Sequence, residues 1–162
     1  MTKQPGKANN VFEQADRHTR GDMKNGILIA KLNSLDTTLN ELRSLGGITA
    51  VQLQNDWRTR RAVERDLQIA VEVVIDVCQR IIALHGQAPA ATGADAIDRC
   101  VQLGVLPQSA AYGKMVQFRN FVVHRYEKID VDIVTDIVNN RLGDFDAFRD
   151  TILEYYRREN RA

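Results

Sequence analysis

The chain has 162 residues, of which 44% are hydrophobic, so it is long enough to form one domain with a substantial core. Its 22 Lys and Arg residues nearly balance its 21 Asp and Glu residues, and the formal net charge is +1. This balance excludes the strongly basic composition of many nucleic-acid-binding domains, so any contact with a polyanion must come from a local patch.

The first 22 residues are polar and weakly patterned, and they include His18, which has no partner in the sequence and is interpreted as a solvated side chain. We expect residues 1–22 to be an N-terminal extension that is either native and disordered or a remnant of cloning. Residues 23–162 are then the helical domain. No signal peptide or membrane-spanning run is visible, so we expect a cytoplasmic protein without membrane contact.

A leucine seam predicts the first helix of the domain. Its members follow one another at spacings of four and three residues: Leu28, Leu32, Leu35, Leu39 and Leu42. The seam covers only about two heptads, which favours a helix of an antiparallel bundle over a long coiled coil. The glycines after Leu45 are expected to end it.

The longest predicted helix covers residues 56–86, with Asp56 as N-cap and Gly86 as the stop. Its apolar face is wide, so we expect it to lie at the centre of the fold. Asp76 lies within the apolar stretch, and a buried carboxylate needs a partner. A structural pairing of Asp76 is favoured over a role in a site, although both remain open.

Three shorter elements and a C-terminal helix follow, at residues 94–106, 107–126, 130–142 and 144–160. No strand alternation is present, so the sequence predicts an all-α, antiparallel helical bundle with short extra helices. Cys78 and Cys100 lie among apolar residues without zinc-ligand spacing, and we expect two reduced core thiols in a reducing compartment. A disulfide or a reactive thiol is the open alternative.

Chemically capable side chains cluster in "FRNFVVHRYEKID", where Arg119, His124 and Tyr126 interrupt an apolar segment. Arginine holds phosphate through a fork of donors, and histidine moves protons near neutral pH. Without a metal-ligand set, this pair fits RNA cleavage in which the substrate's 2′-hydroxyl is the nucleophile. The same residues also suit an ordinary helix C-terminus, and composition and spacing alone favour that structural interpretation.

Helix geometry adds a constraint on this cluster. Positions five apart lie about 140° around an ideal helix, so Arg119 and His124 do not share a face unless the helix ends or distorts between them. Tyr126 follows Arg119 by a heptad and returns to its side. A two-fold dimer, in which the cluster meets its own copy, would combine groups from both chains.

A basic stripe accompanies the cluster, since Arg58, Arg61 and Arg65 are spaced to lie on one side of the long helix. The stripe could follow an RNA backbone, or it could be a solvated face paired with Glu64 and Asp66. The sequence leaves both interpretations open.

The segment "RNFVVHRY", residues 119–126, fits the pattern R-N-x-x-V-H-x-Y and resembles the HepT-like toxins of the HEPN superfamily. Residues 60–83 and 96–130 also resemble that family, and the likeness extends over roughly residues 23–156. It implies an all-helical homodimer, with the motif facing a cleft at the interface. It also implies a metal-independent ribonuclease toxin without a cofactor, acting on tRNA or mRNA.

The resemblance also assigns roles and a partner. Arg119 would bind phosphate or stabilise the transition state, His124 would be the general acid/base, and Asn120 would help to position the site. A MntA-type nucleotidyltransferase antitoxin would transfer AMP to Tyr126. The alternative is a non-catalytic helical adaptor that docks on a nucleotidyltransferase.

Overall fold

The computed structural model describes residues 9–124 and 129–161, with side chains from residue 26 onward. Within these ranges all of its regular secondary structure is helical: α1 Asn9–Ser44, α2 Ala50–Asn55, α3 Trp57–Leu84, α4 Gly93–Gln102, α5 Ala110–His124, α6 Val131–Asp136, a π-helical turn Ile137–Arg141 and α7 Leu142–Arg161. The all-α prediction is confirmed. None of the helices in the described ranges has the length and hydropathy needed to span a membrane.

The leucine seam of α1 packs against α3 and forms one side of the core. All five of its leucines are buried, with at most 3% of each exposed. The helix ends at Ser44, and Gly46 follows with φ of 67°, a conformation that favours glycine. It begins at Asn9, ahead of the expected domain start at Met23, and the division of the chain at residue 22 stays a prediction.

Helix α3 lies at the centre of the fold, as its wide apolar face predicts, and packs against α1, α4 and α5. Asp56 is its N-cap, since the carboxylate accepts hydrogen bonds from the main-chain N–H groups of Arg58 and Thr59 at 3.1 and 3.2 Å. The helix ends at Leu84, and Gly86 follows with φ of 73°.

Asp76 forms the structural pairing that was favoured, but the expected burial of its side chain is wrong. Its side chain is 59% exposed and pairs with Lys31 of α1, whose Nζ lies 3.1 Å from Asp76 Oδ2. The residue lies at the edge of the apolar face of α3, where solvent reaches it, so this pair is a surface contact between two helices and indicates no site.

Helix α2 was missed from the sequence because six residues are too few to show a periodic pattern. Thr49 and Gln52 form a capping box at its start, in which each side chain accepts a hydrogen bond from the main chain of the other. Leu53 is fully buried and joins the helix to the core.

Both cysteines are buried free thiols, which confirms the first interpretation. The thiol of Cys100 donates to the main-chain oxygen of Cys78 over 3.6 Å. The contact with Cys100 and the burial of the thiol together raise the pKa of Cys78 above its usual value.

The last two predicted helices form a single continuous rod. Helix α6, capped by Asp130, runs through the π-helical turn directly into α7. Within the turn, Asn139 binds the loop between α1 and α2. Its side-chain amide accepts a hydrogen bond from Ile48 N at 3.1 Å and donates one to Ile48 O at 2.7 Å.

Candidate active site at the end of α5

Helix α5 carries the candidate site, and its buried side fixes the rotation of the helix. It begins at Ala110, slightly later than expected, and runs without interruption to His124. Four side chains anchor it in the core: Tyr112, Met115, Val116 and Phe118. These contacts determine where the polar residues of the same helix point.

Arg119 is half-buried and holds an uncommitted guanidinium. Its Nε is buried without a hydrogen-bond partner, and its Nη1 donates to Asn120 Oδ1 at 3.3 Å. Among the described residues, no carboxylate pairs with it. A buried donor without a partner requires an explanation, and a guanidinium in this state is suited to accept an anionic ligand.

His124 is the last residue of α5 and is exposed, so a substrate can reach its imidazole. Because the helix is continuous between Arg119 and His124, the two side chains remain about 140° apart around its axis. The structure thus places both predicted residues on one helix without bringing them onto one face of a single chain.

Tyr126 lies outside the described residues, within the gap at residues 125–128. The described chain resumes at Ile129, which is 7% exposed, and Asp130 then caps α6. The assigned role of Tyr126 therefore stays a prediction.

A buried ion pair on α3 holds the chain that follows this gap. Arg60 Nε lies 2.8 Å from Glu64 Oε1, and Arg60 Nη2 donates to the main-chain oxygen of Ile129 at 2.7 Å. Sequence reasoning missed this network, because Glu64 was treated as a partner of the exposed stripe. The one signal in the sequence is the Arg–Glu spacing of four on a predicted helix.

The three arginines of the basic stripe are all exposed on α3. The guanidinium of Arg58 lies 5.5 Å from the ring centroid of Trp57, and Arg61 Nη1 lies 3.9 Å from Glu64 Oε2. An RNA-binding stripe and a solvated face would both be exposed. RNA contact by Arg58, Arg61 and Arg65 therefore stays a prediction.

An apolar groove of about 590 Å³ runs beside α5, and Phe118, Phe121, Ile133 and Phe145 line it. Across the described part of the chain, no three His, Cys, Asp or Glu side chains are placed to hold a metal ion.

A helical bundle of this kind is the fold of HEPN toxins. Residues 35–152 match the family described as "Ribonuclease HepT-like", and the chain belongs to that family. The family resemblance read from residues 119–126 is confirmed.

Relatives of known structure and function support membership of the HepT-like family. The chain is 28% identical over 130 residues to the mRNA nuclease HepT of Shewanella oneidensis strain MR-1, covering 79% of this chain and 97% of that protein. It superposes on a tri-AMPylated Shewanella oneidensis HEPN toxin solved in complex with its MNT antitoxin, with a TM-score of 0.71, 27% identity and coverage of 79% and 97%. A toxin–antitoxin complex with AMP-PNP gives a TM-score of 0.72, 26% identity and coverage of 80% and 98%.

Proposed function

We propose that this chain is the toxin of a toxin–antitoxin pair, a metal-independent endoribonuclease that cleaves cellular RNA in the cytoplasm. The observation that carries the proposal is the uncommitted guanidinium of Arg119 on the helix that ends in the exposed His124. Membership of the HepT-like family supports it, as does the likeness to an mRNA nuclease and to HEPN toxins.

The proposed reaction uses the substrate's own nucleophile. His124 takes the proton of the RNA 2′-hydroxyl, the 2′-oxygen forms a bond to phosphorus, and the bond from phosphorus to the 5′-oxygen breaks. The same imidazole then returns the proton to the leaving 5′-oxygen, which gives a 2′,3′-cyclic phosphate and a 5′-hydroxyl end. Arg119 donates to the non-bridging oxygens as their charge grows, and Asn120 orients the guanidinium.

A homodimer completes this site. Because Arg119 and His124 lie about 140° apart on one helix, groups from two chains would meet one phosphate more directly than the pair of a single chain. A two-fold axis near the end of α5 would pair Arg119 of one copy with His124 of the other, and the dimer would then contain two such composite sites.

The proposed regulation is nucleotidylation by a MntA-type antitoxin. The likeness to a tri-AMPylated toxin bound to its MNT antitoxin supports this step. The phenolic oxygen of Tyr126 would attack the α-phosphorus of ATP, pyrophosphate would leave, and a base on the antitoxin would take the proton. The added phosphate brings bulk and negative charge into the motif, where it competes with RNA for Arg119.

The test is cleavage of total RNA by the purified protein, with and without EDTA, for wild type, His124→Ala and Arg119→Gln. We expect cleavage that is indifferent to EDTA and that falls by about a hundred- to ten-thousand-fold in His124→Ala. Circular dichroism melts should show that both variants fold. Cleavage unchanged in His124→Ala, or abolished by the chelator, would contradict the proposal.

Growth of cells that express the isolated chain separates this function from that of a non-catalytic adaptor. A ribonuclease toxin stops growth, and His124→Ala relieves the arrest. If wild type and His124→Ala are equally harmless at equal protein levels, the adaptor interpretation is correct.

A further inference from the structure

We propose that Arg60 and Glu64 are positioning residues for His124, because they fix the point at which the chain returns to the bundle after α5. This inference rests on the proposed ribonuclease function. It concerns the buried pair on α3, which none of the assigned roles uses.

The burial of Glu64 is the first observation. It is 7% exposed, and Thr38 is the one other buried polar side chain in the part of the chain that the structure describes. A carboxylate is costly to bury unless it is paired and hydrogen-bonded. Glu64 meets this requirement through Arg60, whose side chain is itself 15% exposed.

The second observation is how the fork of Arg60 is used. Nε binds Glu64 Oε1 at 2.8 Å, and Nη2 donates to the main-chain oxygen of Ile129 at 2.7 Å. Glu64 therefore orients the guanidinium, and the guanidinium holds a backbone group that lies 69 residues away in the sequence. A lysine has a single ammonium group and does not reproduce this planar bridge.

The position of Ile129 gives the pair its significance. His124 ends α5 and is exposed, so packing of its own side chain does not fix it. Ile129 lies five residues further on and is buried, and Asp130 immediately caps α6 through a 2.9 Å bond from Asp132 N. The end of α5 therefore lies only five residues before the main-chain oxygen that Arg60 binds. Loss of this hydrogen bond should allow the end of α5, which carries His124, to move.

The competing explanation is that the pair only stabilises the fold. Arg149 provides the matched control, since it is also a partly buried arginine that bridges two helices. It binds Asp36 of α1 at 2.5 Å and also pairs with Asp146 and Asp150, and it bonds to no described residue of α5 or α6.

The experiment compares Arg60→Lys, Glu64→Gln and Glu64→Ala with Arg149→Lys in the full-length protein. Steady-state cleavage of a short RNA should show kcat lowered about ten- to a hundred-fold in Arg60→Lys with KM little changed, because displaced catalytic groups slow the chemical step. Glu64→Gln keeps an acceptor for Arg60 and should lose less than Glu64→Ala. Arg149→Lys should keep its kcat even if its melting temperature falls equally.

Hydrogen exchange gives a readout that does not depend on activity. Peptides covering residues 129–134 should exchange faster in Arg60→Lys and Glu64→Ala than in wild type, and at the wild-type rate in Arg149→Lys. A wild-type kcat in Arg60→Lys, or wild-type exchange of residues 129–134 in Arg60→Lys and Glu64→Ala, would overturn the inference. If wild type cleaves no RNA, the proposed function is wrong, and the exchange data alone decide whether the pair holds Ile129.

Discussion

Nη1 of Arg119 donates to Oδ1 of Asn120, the next residue on α5, over 3.3 Å. The bond turns one arm of the guanidinium toward its neighbour, while Nε stays buried and without a partner in the described structure. Asn120 is therefore suited to set the orientation of Arg119 without neutralising its charge, which a carboxylate at the same position would do.

Substitution of Asn120 should separate orientation from charge. Asn120→Ala removes one hydrogen bond, worth about 1 kcal/mol, and should lower kcat/KM for RNA by about fivefold. Asn120→Asp keeps the shape but pairs with the guanidinium and competes with phosphate, so its loss should be larger. Kinetics on a short RNA measure both, and an Asp variant as active as wild type would show that Arg119 does not bind phosphate.

Mixing of two inactive proteins should restore cleavage if each site combines Arg119 of one copy with His124 of the other. A heterodimer of Arg119→Ala and His124→Ala contains one intact site and one doubly mutated site. With statistical exchange, about a quarter of wild-type activity is expected from the mixture. Light scattering checks the dimer, and a mixture that stays inactive after proven subunit exchange would exclude shared sites.

Tyr126→Phe should keep most of its basal cleavage and lose its neutralisation by the antitoxin, because phenylalanine has no oxygen that accepts a nucleotidyl group. Intact mass after incubation with the partner, ATP and magnesium measures the modification directly. An equal mass increase in wild type and Tyr126→Phe would place the acceptor at another residue.

The salt dependence of RNA binding tests the basic stripe. If Arg61 and Arg65 each contact a phosphate, replacement of either by alanine should reduce the slope of log affinity against log salt by about 0.7 for single-stranded RNA. Arg99→Ala is the control, since Arg99 is paired with Asp95 on α4 at 3.0 Å. Slopes that match wild type in both stripe variants would identify the stripe as a solvated face.

The N-cap of α3 gives a pH-dependent contribution to stability. The hydroxyl and the main-chain N–H of Thr59 bind the carboxylate of Asp56 and lower its pKa. A depressed pKa in the folded state means that this stabilisation is fully present above the unfolded value of about 3.9 and is lost as the pH falls through the folded value. Asp56→Asn, which still caps, should be less stable than wild type at pH 7.

Urea unfolding between pH 7 and pH 2 measures this difference, which should shrink as the pH falls. Asp98→Asn is the control, because Asp98 is an exposed residue of α4 without a hydrogen bond to any described residue. If the gap between wild type and Asp56→Asn is the same at both ends of the range, the charge of Asp56 makes no contribution.

The sequence predicts the elements whose signal is local and repeated. The leucines of α1 and the cap at Asp56 are of this kind, and both lie where they were expected. Helix α2 was missed, since its signal is a capping box of two residues, Thr49 and Gln52, without a periodic face. The burial of Asp76 was misjudged because a wide apolar face does not show where its edge lies.

The candidate site also contains some features that the sequence predicts and others that it does not. That Arg119 and His124 lie on one helix could be predicted because both belong to one short motif, and their roles in catalysis stay a prediction. The bond from Arg60 to Ile129 could not, since it joins residues 69 positions apart and ends on a main-chain oxygen that carries no side-chain signature. Contacts of this type depend on the packing of α3 against the later helices, which a single sequence does not specify.

The π-helical turn has a consequence for insertions and deletions in this protein. A π turn holds one residue more than the α-helix around it needs, so the faces before and after it keep their phase. Removal of a single residue between Ile137 and Arg141 should therefore leave the packing of α7 intact, whereas the same deletion inside α3 would rotate every later side chain of that helix by about 100°. Such a deletion should instead remove the two hydrogen bonds between the Asn139 side chain and the main chain of Ile48. The extra residue of the π turn therefore stabilises the loop that follows α1. The continuous helix formed by α6, the π turn and α7 does not itself require that residue.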